Sequence, residues 1–156
     1  MENRYLFKAR GQCSKLWHYG VLTFCGDCTC HIKDNLYNEK ICDTSTLCQC
    51  TGLKDKNGKL IWENDIVDFL GHKGTVVFEC GSFGIAYKVP IDWNGIETNI
   101  LPITGCENRL YACGNDNYIS LWEIYWNFND EDDSVNTVEA IGNIFDNAEV
   151  LESEEK

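Results

Sequence analysis

The segment TGLKDKNGKLIWENDIV occupies residues 51–67 and gives the clearest structural signal in the sequence. Its Asn57-Gly58 pair predicts a tight turn, because both residues tolerate the positive φ values that a short β-hairpin requires. Two apolar runs follow the turn, at Leu60–Trp62 and at residues 66–70, and both have the length and composition of short strands. The segment therefore predicts strands that are joined by tight turns.

The same pattern extends in both directions from this segment. Other stretches with strand-like composition lie at residues 16–24, 28–32, 74–79, 82–87, 118–128 and 138–145. Asp146-Asn147 then predicts a short C-terminal helical turn through Leu151, whereas residues 92–99 and 105–117 have the composition of loops. The predicted fold class is all-β, with short strands that form a small barrel or sandwich.

Length and charge restrict the classes of protein to which the chain can belong. Its 156 residues are 44% hydrophobic, which is enough for a packed core and predicts one domain over residues 1–150 with an acidic tail at 152–156. Residues 1–60 hold nine Lys and Arg against six Asp and Glu, which leaves a net charge of −15 for the remainder. Such an acidic surface argues against general nucleic-acid binding.

The location of the protein follows from what the sequence lacks. The first residues carry spread charges and no continuous apolar run of the signal-peptide kind, and no run approaches the length of a membrane span. We therefore expect a cytoplasmic protein with no membrane partner. Its cysteines should then be reduced thiols, because the cytoplasm keeps thiols reduced.

The ten cysteines nevertheless allow a structural zinc site as an alternative to no metal at all. Cys25 and Cys28 form one short-spaced pair, and Cys48 and Cys50 form another, and thiolate pairs of this kind can bind one tetrahedral ion. The second pair has Cys-x-Cys spacing, which on a strand places both thiols on one face. The other cysteines are scattered, and Cys also packs well as a small hydrophobic residue.

Three segments resemble the YopX family of phage and prophage proteins, and they occur in the order that the family has. Residues 51–67 are similar to the characteristic family string TGLKDKNGKxIYEGDIV. Residues 74–84 include Val-Val-Phe and Gly-Ser-Phe-Gly, and residues 141–147 are similar to the family ending IGNIYDNPELL. The resemblance is strongest over residues 51–151 and weak around residues 17–20.

The resemblance implies an all-β fold of small-barrel character, encoded by a phage or prophage of a low-GC bacterium, with no assigned enzymatic activity. It brings no catalytic residues to transfer. The sequence departs from the family pattern at Asn64, where Gly is usual, and at Ala148, where Pro is usual. Cys50 stands where an aromatic residue is usual, which counts against an inherited zinc site.

Catalytic motifs are absent from the sequence. It contains no nucleophile elbow, no His-Glu-x-x-His zinc motif, no phosphate loop and no dinucleotide fingerprint. Asp65 and Glu63 could be a carboxylate pair, but Asp65 at a strand entrance is better explained as an acceptor of backbone N–H groups. We expect no enzyme and no cofactor.

Binding residues are the remaining candidates. Trp93 lies in the loop signal Asp92-Trp93-Asn94-Gly95, where an aromatic ring suits an interface or stacking on a base. Trp62 and Lys54, within the segment 51–67, complete the candidate set. For a nucleotide ligand, basic residues near the N-terminus would supply phosphate contacts, namely Arg4, Lys8, Arg10 and Lys54.

Function hypotheses from different classes stay open at this point. The first is a non-enzymatic accessory protein that binds a host protein. The second is a sponge that sequesters a small nucleotide signal of host antiphage defence, and the third is a virion or morphogenesis component. Self-association into a homo-oligomer also stays open, because small β proteins often protect their edge strands by association.

Overall fold

The computed structural model of the chain describes residues 2–79, 81–91, 114–115, 117–128, 134–135 and 137–152. The chain divides into two compact units, Met1–Gly52 and Leu53–Lys156. Two compact units can belong to one folding domain, so the single domain expected over residues 1–150 stays a prediction. None of the described helices is long and apolar enough to cross a membrane.

The N-terminal unit is an antiparallel sheet. Its strands are β1 (Leu6–Arg10), β2 (Trp17–Cys25), β3 (Thr29–Lys33), β4 (Glu39–Asp43) and β5 (Cys48–Asp55), which runs on into the second unit. The sheet order is β5-β1-β2-β3-β4. Short 3-10 helical turns lie at Glu2–Tyr5 and Thr44–Thr46.

One face of this sheet carries the core of the N-terminal unit. The fully buried side chains are Ala9, Cys30, Ile32 and Cys42, and Phe7, Leu22 and Leu47 pack against them. They come from one parity of each strand, because successive side chains in a strand point to opposite faces. The residues of the other parity lie on the opposite face of the same sheet.

The C-terminal unit contains a second antiparallel sheet. The described strands of this unit are β6 (Leu60–Trp62), β7 (Asp65–Phe69), β8 (His72–Glu79), β9 (Ser82–Ala86), β10 (Gly114–Asn115), β11 (Tyr118–Ser120), β12 (Ser134–Val135) and β13 (Val138–Asn143). The order of this sheet is β10-β11-β9-β8-β7-β13. Strand β6 pairs with β5, and β12 pairs with the end of β5 in parallel at Lys54 and Asp55.

The hairpin turn at Asn57-Gly58 forms, although with one more loop residue than predicted. Of these two residues, only Gly58 has a positive φ, of 80°. The Asp55 N–H donates to the Lys59 carbonyl at 2.7 Å, which leaves residues 56–58 as a three-residue loop. Loops of this length place a single glycine in the left-handed region, so the asparagine does not need that conformation.

The strand predicted over residues 118–128 is wrong beyond Ser120. The chain turns there into helix α1 (Leu121–Phe128), which buries Leu121 and Ile124. These residues are three positions apart and therefore lie on one helix face. A short, largely apolar run fits a buried helix as well as a buried strand, and this explains the misassignment.

The remaining expectations for the class are confirmed. The protein is mostly β, one sheet curls into a half-barrel, and a short C-terminal helix, α2 (Glu149–Glu152), ends the described chain. Within the loop predicted at 105–117, Gly114–Asn115 form a short strand instead. The core of the C-terminal unit is apolar, and its largest fully buried side chains include Phe69, Ile61, Ile66 and Ile85.

A candidate binding face on the N-terminal sheet

The residues that the sequence singled out for binding have different environments. Trp62 is buried at the start of the β6–β7 turn, and its backbone N–H donates to Asp65 Oδ2 at 2.8 Å. Asp65 is itself buried, so its predicted role as a backbone acceptor is confirmed. Lys54 is exposed on β5, and Trp93 lies outside the described residues.

The cysteines of the zinc hypothesis also differ in environment. Cys25 and Cys28 are exposed at the β2–β3 hairpin, whereas Cys48 and Cys50 are fully buried on β5. Among the residues that the structure describes, no group of three or more His, Cys, Asp or Glu side chains is placed to hold a metal ion. The zinc hypothesis therefore gains no support from the described part of the chain.

Two of the basic residues that were considered for phosphate contacts meet at one aromatic ring. Lys8 Nζ lies 4.8 Å from the centroid of the Trp17 ring, and Arg10 Cζ lies 5.3 Å from it. Strand pairing brings them there. Arg10 is the register partner of Trp17, and Lys8 is the register partner of Tyr19, which lies two residues beyond Trp17 on the same face of β2. Cations at this distance from an indole are attracted to its negative ring face.

These three residues belong to a larger surface, on the side of the sheet opposite the unit's core. We call it the aromatic–basic face, and its members include Lys8, Arg10, Trp17, Tyr19, Val21, Phe24, His31, Lys33, Glu39 and Ile41. Lys8 is buried, so little of its side chain is exposed on this face. Four of its apolar side chains, those of Tyr19, Val21, Phe24 and Ile41, are 51% to 54% exposed.

A β-bulge in β2 places Phe24 on this face. The register with β3 shifts between Leu22 and Phe24, so Thr23 is the extra residue. Without the shift Phe24 would share the face of Leu22, because residues two apart in a strand point the same way. Instead, the Phe24 ring lies beside His31, with 5.1 Å between the ring centroids.

Polar contacts hold His31 and its neighbours at the far side of the face. Thr23 Oγ1 donates to the His31 carbonyl at 3.3 Å and also to Glu39, and His31 Nδ1 lies 3.6 Å from Glu39 Oε1. The hydrogen bond from Thr23, and then the charge of His31, hold the pKa of Glu39 below its usual value. Glu39 is therefore a carboxylate at neutral pH.

A shallow depression of about 240 Å³ continues from Tyr19 to the β3–β4 turn, and it is lined by Leu6, Tyr19, Gly20, Asp34, Asn35 and Leu36. Asp34 Oδ1 shapes this turn by accepting the N–H groups of Leu36 and Asn38, each at 2.9 Å. These backbone hydrogen bonds, with the one from Asn38 the largest contribution, lower the pKa of Asp34. The turn consequently presents an exposed Leu36 beside the face.

The sequence did not identify the exposed apolar members of this face. A signal was nonetheless present in β2, where apolar residues occupy both parities, with Leu22 on one side and Tyr19 and Val21 on the other. An antiparallel strand with only one packed face should alternate between apolar and polar residues. Apolar residues at both parities therefore indicate either burial on both sides or an exposed binding face, and burial data are needed to decide between them.

A family model described as YopX protein matches residues 23–152. The match begins inside β2, so it includes Phe24, His31 and Ile41 of the aromatic–basic face, whereas Trp17, Tyr19 and Val21 precede it. No curated protein matches the chain.

Proposed function

The chain belongs to the YopX family, and from this we propose that it is a non-enzymatic accessory protein of a phage or prophage that binds a host protein. The aromatic–basic face is the proposed contact surface. The observation that carries the proposal is the group of four half-exposed apolar side chains on one sheet face.

The arrangement of these side chains supports an interface. Single exposed apolar residues are normal on any protein, whereas adjacent ones mark interaction sites. Tyr19 and Val21 are two apart on β2, and Phe24, His31 and Ile41 are aligned across three neighbouring strands. Tyr is among the residues that are enriched at binding hot spots.

The charges on the face favour a partner of particular chemistry. Arg10 and Lys33 lie beside the apolar residues, with one carboxylate, Glu39, as the register partner of Lys33, within a protein of formal net charge −12. A partner with acidic groups around an apolar centre would complement this face, and the remaining acidic surface would repel such a partner elsewhere. Binding should then weaken with added salt, mainly through the association rate.

Affinity capture from host lysate tests the proposal. The full chain serves as bait, next to a Tyr19→Ser/Phe24→Ser variant and a control, Val89→Ser, which changes an exposed apolar residue of the C-terminal unit. We expect one host protein in stoichiometric yield with the wild type and the control, and its loss with the double variant. Equal recovery by all three baits would overturn the proposed surface, and no specific protein with any bait would overturn the proposed function.

A nucleotide sponge is the second candidate, and the meeting of Lys8 and Arg10 at Trp17 is the observation that favours it. An indole can stack on a base while a nearby cation, here the partly exposed Arg10, contacts a phosphate; Lys8 is buried. A panel of cyclic and linear nucleotides would then raise the melting temperature of the wild type but not of a Trp17→Leu variant. The absence of any shift across the panel would exclude this candidate.

A further inference from the structure

The β2–β3 hairpin places two cysteines directly opposite each other. Cys25 near the end of β2 is the register partner of Cys30 in β3. In the sequence Cys25 is closer to Cys28, with which it forms a Cys-x-x-Cys motif. The pairing of the strands therefore selects a different partner for Cys25 than the sequence spacing indicates.

The hydrogen bonding of the hairpin defines the kind of pair that these two residues form. The Gly26 N–H donates to the Thr29 carbonyl at 2.9 Å, so Gly26 and Thr29 are a hydrogen-bonded pair. Such pairs alternate with non-hydrogen-bonded ones, and Cys25 and Cys30 are the next pair along the ladder. Residues of a non-hydrogen-bonded pair have Cα atoms about 4.5 Å apart, with their side chains on one face. A disulfide requires roughly 4.4–6.8 Å between Cα atoms.

We propose that Cys25 and Cys30 form a reversible disulfide across the β2–β3 hairpin, by exchange with a low-molecular-weight disulfide such as oxidised glutathione. Cys25 is exposed and is the thiol that such a molecule can reach, whereas Cys30 is fully buried and is reached only through Cys25. Burial raises the pKa of Cys30; a hydrogen bond with Thr44 partly offsets this, and the nearby charges of Cys25 and Asp43 add to it. Cys30 therefore remains protonated until the exchange has begun.

The exchange has two steps. Cys25 loses its proton to solvent, and its thiolate attacks one sulfur of the glutathione disulfide; the S–S bond breaks, and the leaving thiolate takes the electron pair and a proton. Cys30 then loses its proton and attacks Cys25 Sγ, which releases the second glutathione thiol. In total two protein thiols are oxidised by two electrons, and one glutathione disulfide is reduced to two thiols.

The third thiol on the hairpin face is the main competitor. Cys42 is the register partner of Cys30 on its other side, and it is fully buried. Burial raises its pKa to about 11. Because small disulfides cannot reach Cys42 directly, the proposal assigns it no part in the exchange.

Peptide mapping of the full chain tests the proposal. The reduced protein is incubated in glutathione buffers of increasing oxidised fraction, alkylated, and digested with a protease that cleaves before aspartate. Cleavage before Asp27, Asp34 and Asp43 gives three peptides, which hold Cys13 with Cys25, Cys28 with Cys30, and Cys42. Fragmentation between Cys13 and Cys25, and between Cys28 and Thr29, then locates the linked sulfurs.

In the wild type we expect a Cys25–Cys30 link in roughly tenfold excess over any Cys25–Cys28 link, and we expect the same Cys25–Cys30 link in the matched control Cys28→Ser. A Cys30→Ser variant should instead keep one glutathione on Cys25. The proposal is overturned if Cys25 links to Cys28 rather than to Cys30 in the wild type, if Cys30 links to Cys42, or if Cys25 and Cys30 both stay thiols at the most oxidising ratio. Should Cys30→Ser fail to fold, the maps of the wild type and Cys28→Ser decide alone.

Discussion

Asn64 adopts a left-handed backbone conformation, with φ of 67°, in the turn between β6 and β7. The resembling family usually has glycine at this position, and glycine adopts such a φ without strain. Asparagine is among the few other residues that tolerate it. The departure from the family pattern is therefore conservative in terms of backbone geometry.

We predict different effects for two substitutions at this position. Asn64→Ala should lower the free energy of unfolding by about 1 kcal/mol, because alanine is strained at this φ, whereas Asn64→Gly should be neutral within about 0.5 kcal/mol. Urea denaturation of both variants and the wild type measures the difference. Equal free energies of unfolding for the two variants would show that the left-handed φ does not determine how a substitution at residue 64 changes stability.

The carboxylate of Asp55 is fully buried and organises the hairpin of the family segment. Its Oδ1 accepts the N–H groups of Asn57 and Lys59, and its Oδ2 accepts that of Ala140 in β13, all at 2.9 Å. The residue thus joins the 56–58 loop to a strand more than 80 positions away. Sequence inspection showed the turn but not this role of the aspartate.

Asp55→Asn should destabilise the protein by about 1–3 kcal/mol, since an amide nitrogen would face the Ala140 N–H and leave a buried donor without an acceptor. A matched control is Asp68→Asn, because Asp68 also accepts a loop N–H, that of Gly71, but is partly exposed. Chemical denaturation should place the control within about 0.5 kcal/mol of the wild type. If Asp68→Asn were as destabilising as Asp55→Asn, burial of the carboxylate would not explain the loss of stability.

Among the secondary-structure elements, helix α1 could not be predicted from local sequence signals. Strands bounded by turns were predictable at Leu60–Trp62 and in the hairpins, because turn residues and alternation are local signals. The run LWEIYWNF carries no such alternation, and its choice of a helix depends on packing against strands distant in the sequence. The exposed half of β2 was missed for the same reason, because which face is covered is a non-local property.

Helix α1 should depend on its buried face. Ile124→Ala should lower the free energy of unfolding by roughly 2–4 kcal/mol, because the side chain is fully buried and its loss leaves a cavity. The adjacent Glu123→Ala, which changes a half-buried residue with good helix propensity, should cost less than about 1 kcal/mol. Thermal and urea unfolding compare the pair, and similar losses in both variants would contradict the predicted packing of this helix.

The 56–58 loop and β13 are also linked by an ion pair, with Lys56 Nζ 2.8 Å from Glu139 Oε2. The hydrogen bond and charge of Lys56 lower the pKa of Glu139, and those of Glu139 raise the pKa of Lys56. The depressed pKa of Glu139 gives stability that is present above its unfolded pKa and lost as the pH falls through its folded pKa. The raised pKa of Lys56 gives stability that is lost only as the pH rises through its own folded value.

A double-mutant cycle with Lys56→Met and Glu139→Gln should therefore show favourable coupling at neutral pH that disappears in acid, below the pKa of Glu139. The coupling should be small, because both side chains are partly exposed to solvent. The measurement is the free energy of unfolding of the wild type, both single variants and the double variant across the acid range. A coupling that persists at the acid end would show that the contact does not depend on the glutamate charge.

For the whole molecule, the sequence predicted the class and the family; the structure confirms the class, and the match to the family model confirms the family. The uneven charge was equally visible, with the acidic excess after residue 60. The candidate face could not be predicted in full, because its members Lys8, Trp17 and His31 come from different strands and meet only through strand register. The candidate Trp62, chosen from the sequence, lies in the interior.

The most direct test of the proposed function is the dissociation constant of the captured host protein, titrated against the wild type, Tyr19→Ser/Phe24→Ser and the Val89→Ser control. We expect binding at least about tenfold weaker for the double variant, because it loses hot-spot side chains, and an unchanged constant for the control. Equal constants for all three proteins, with unchanged unfolding curves, would contradict the assignment of binding to the aromatic–basic face.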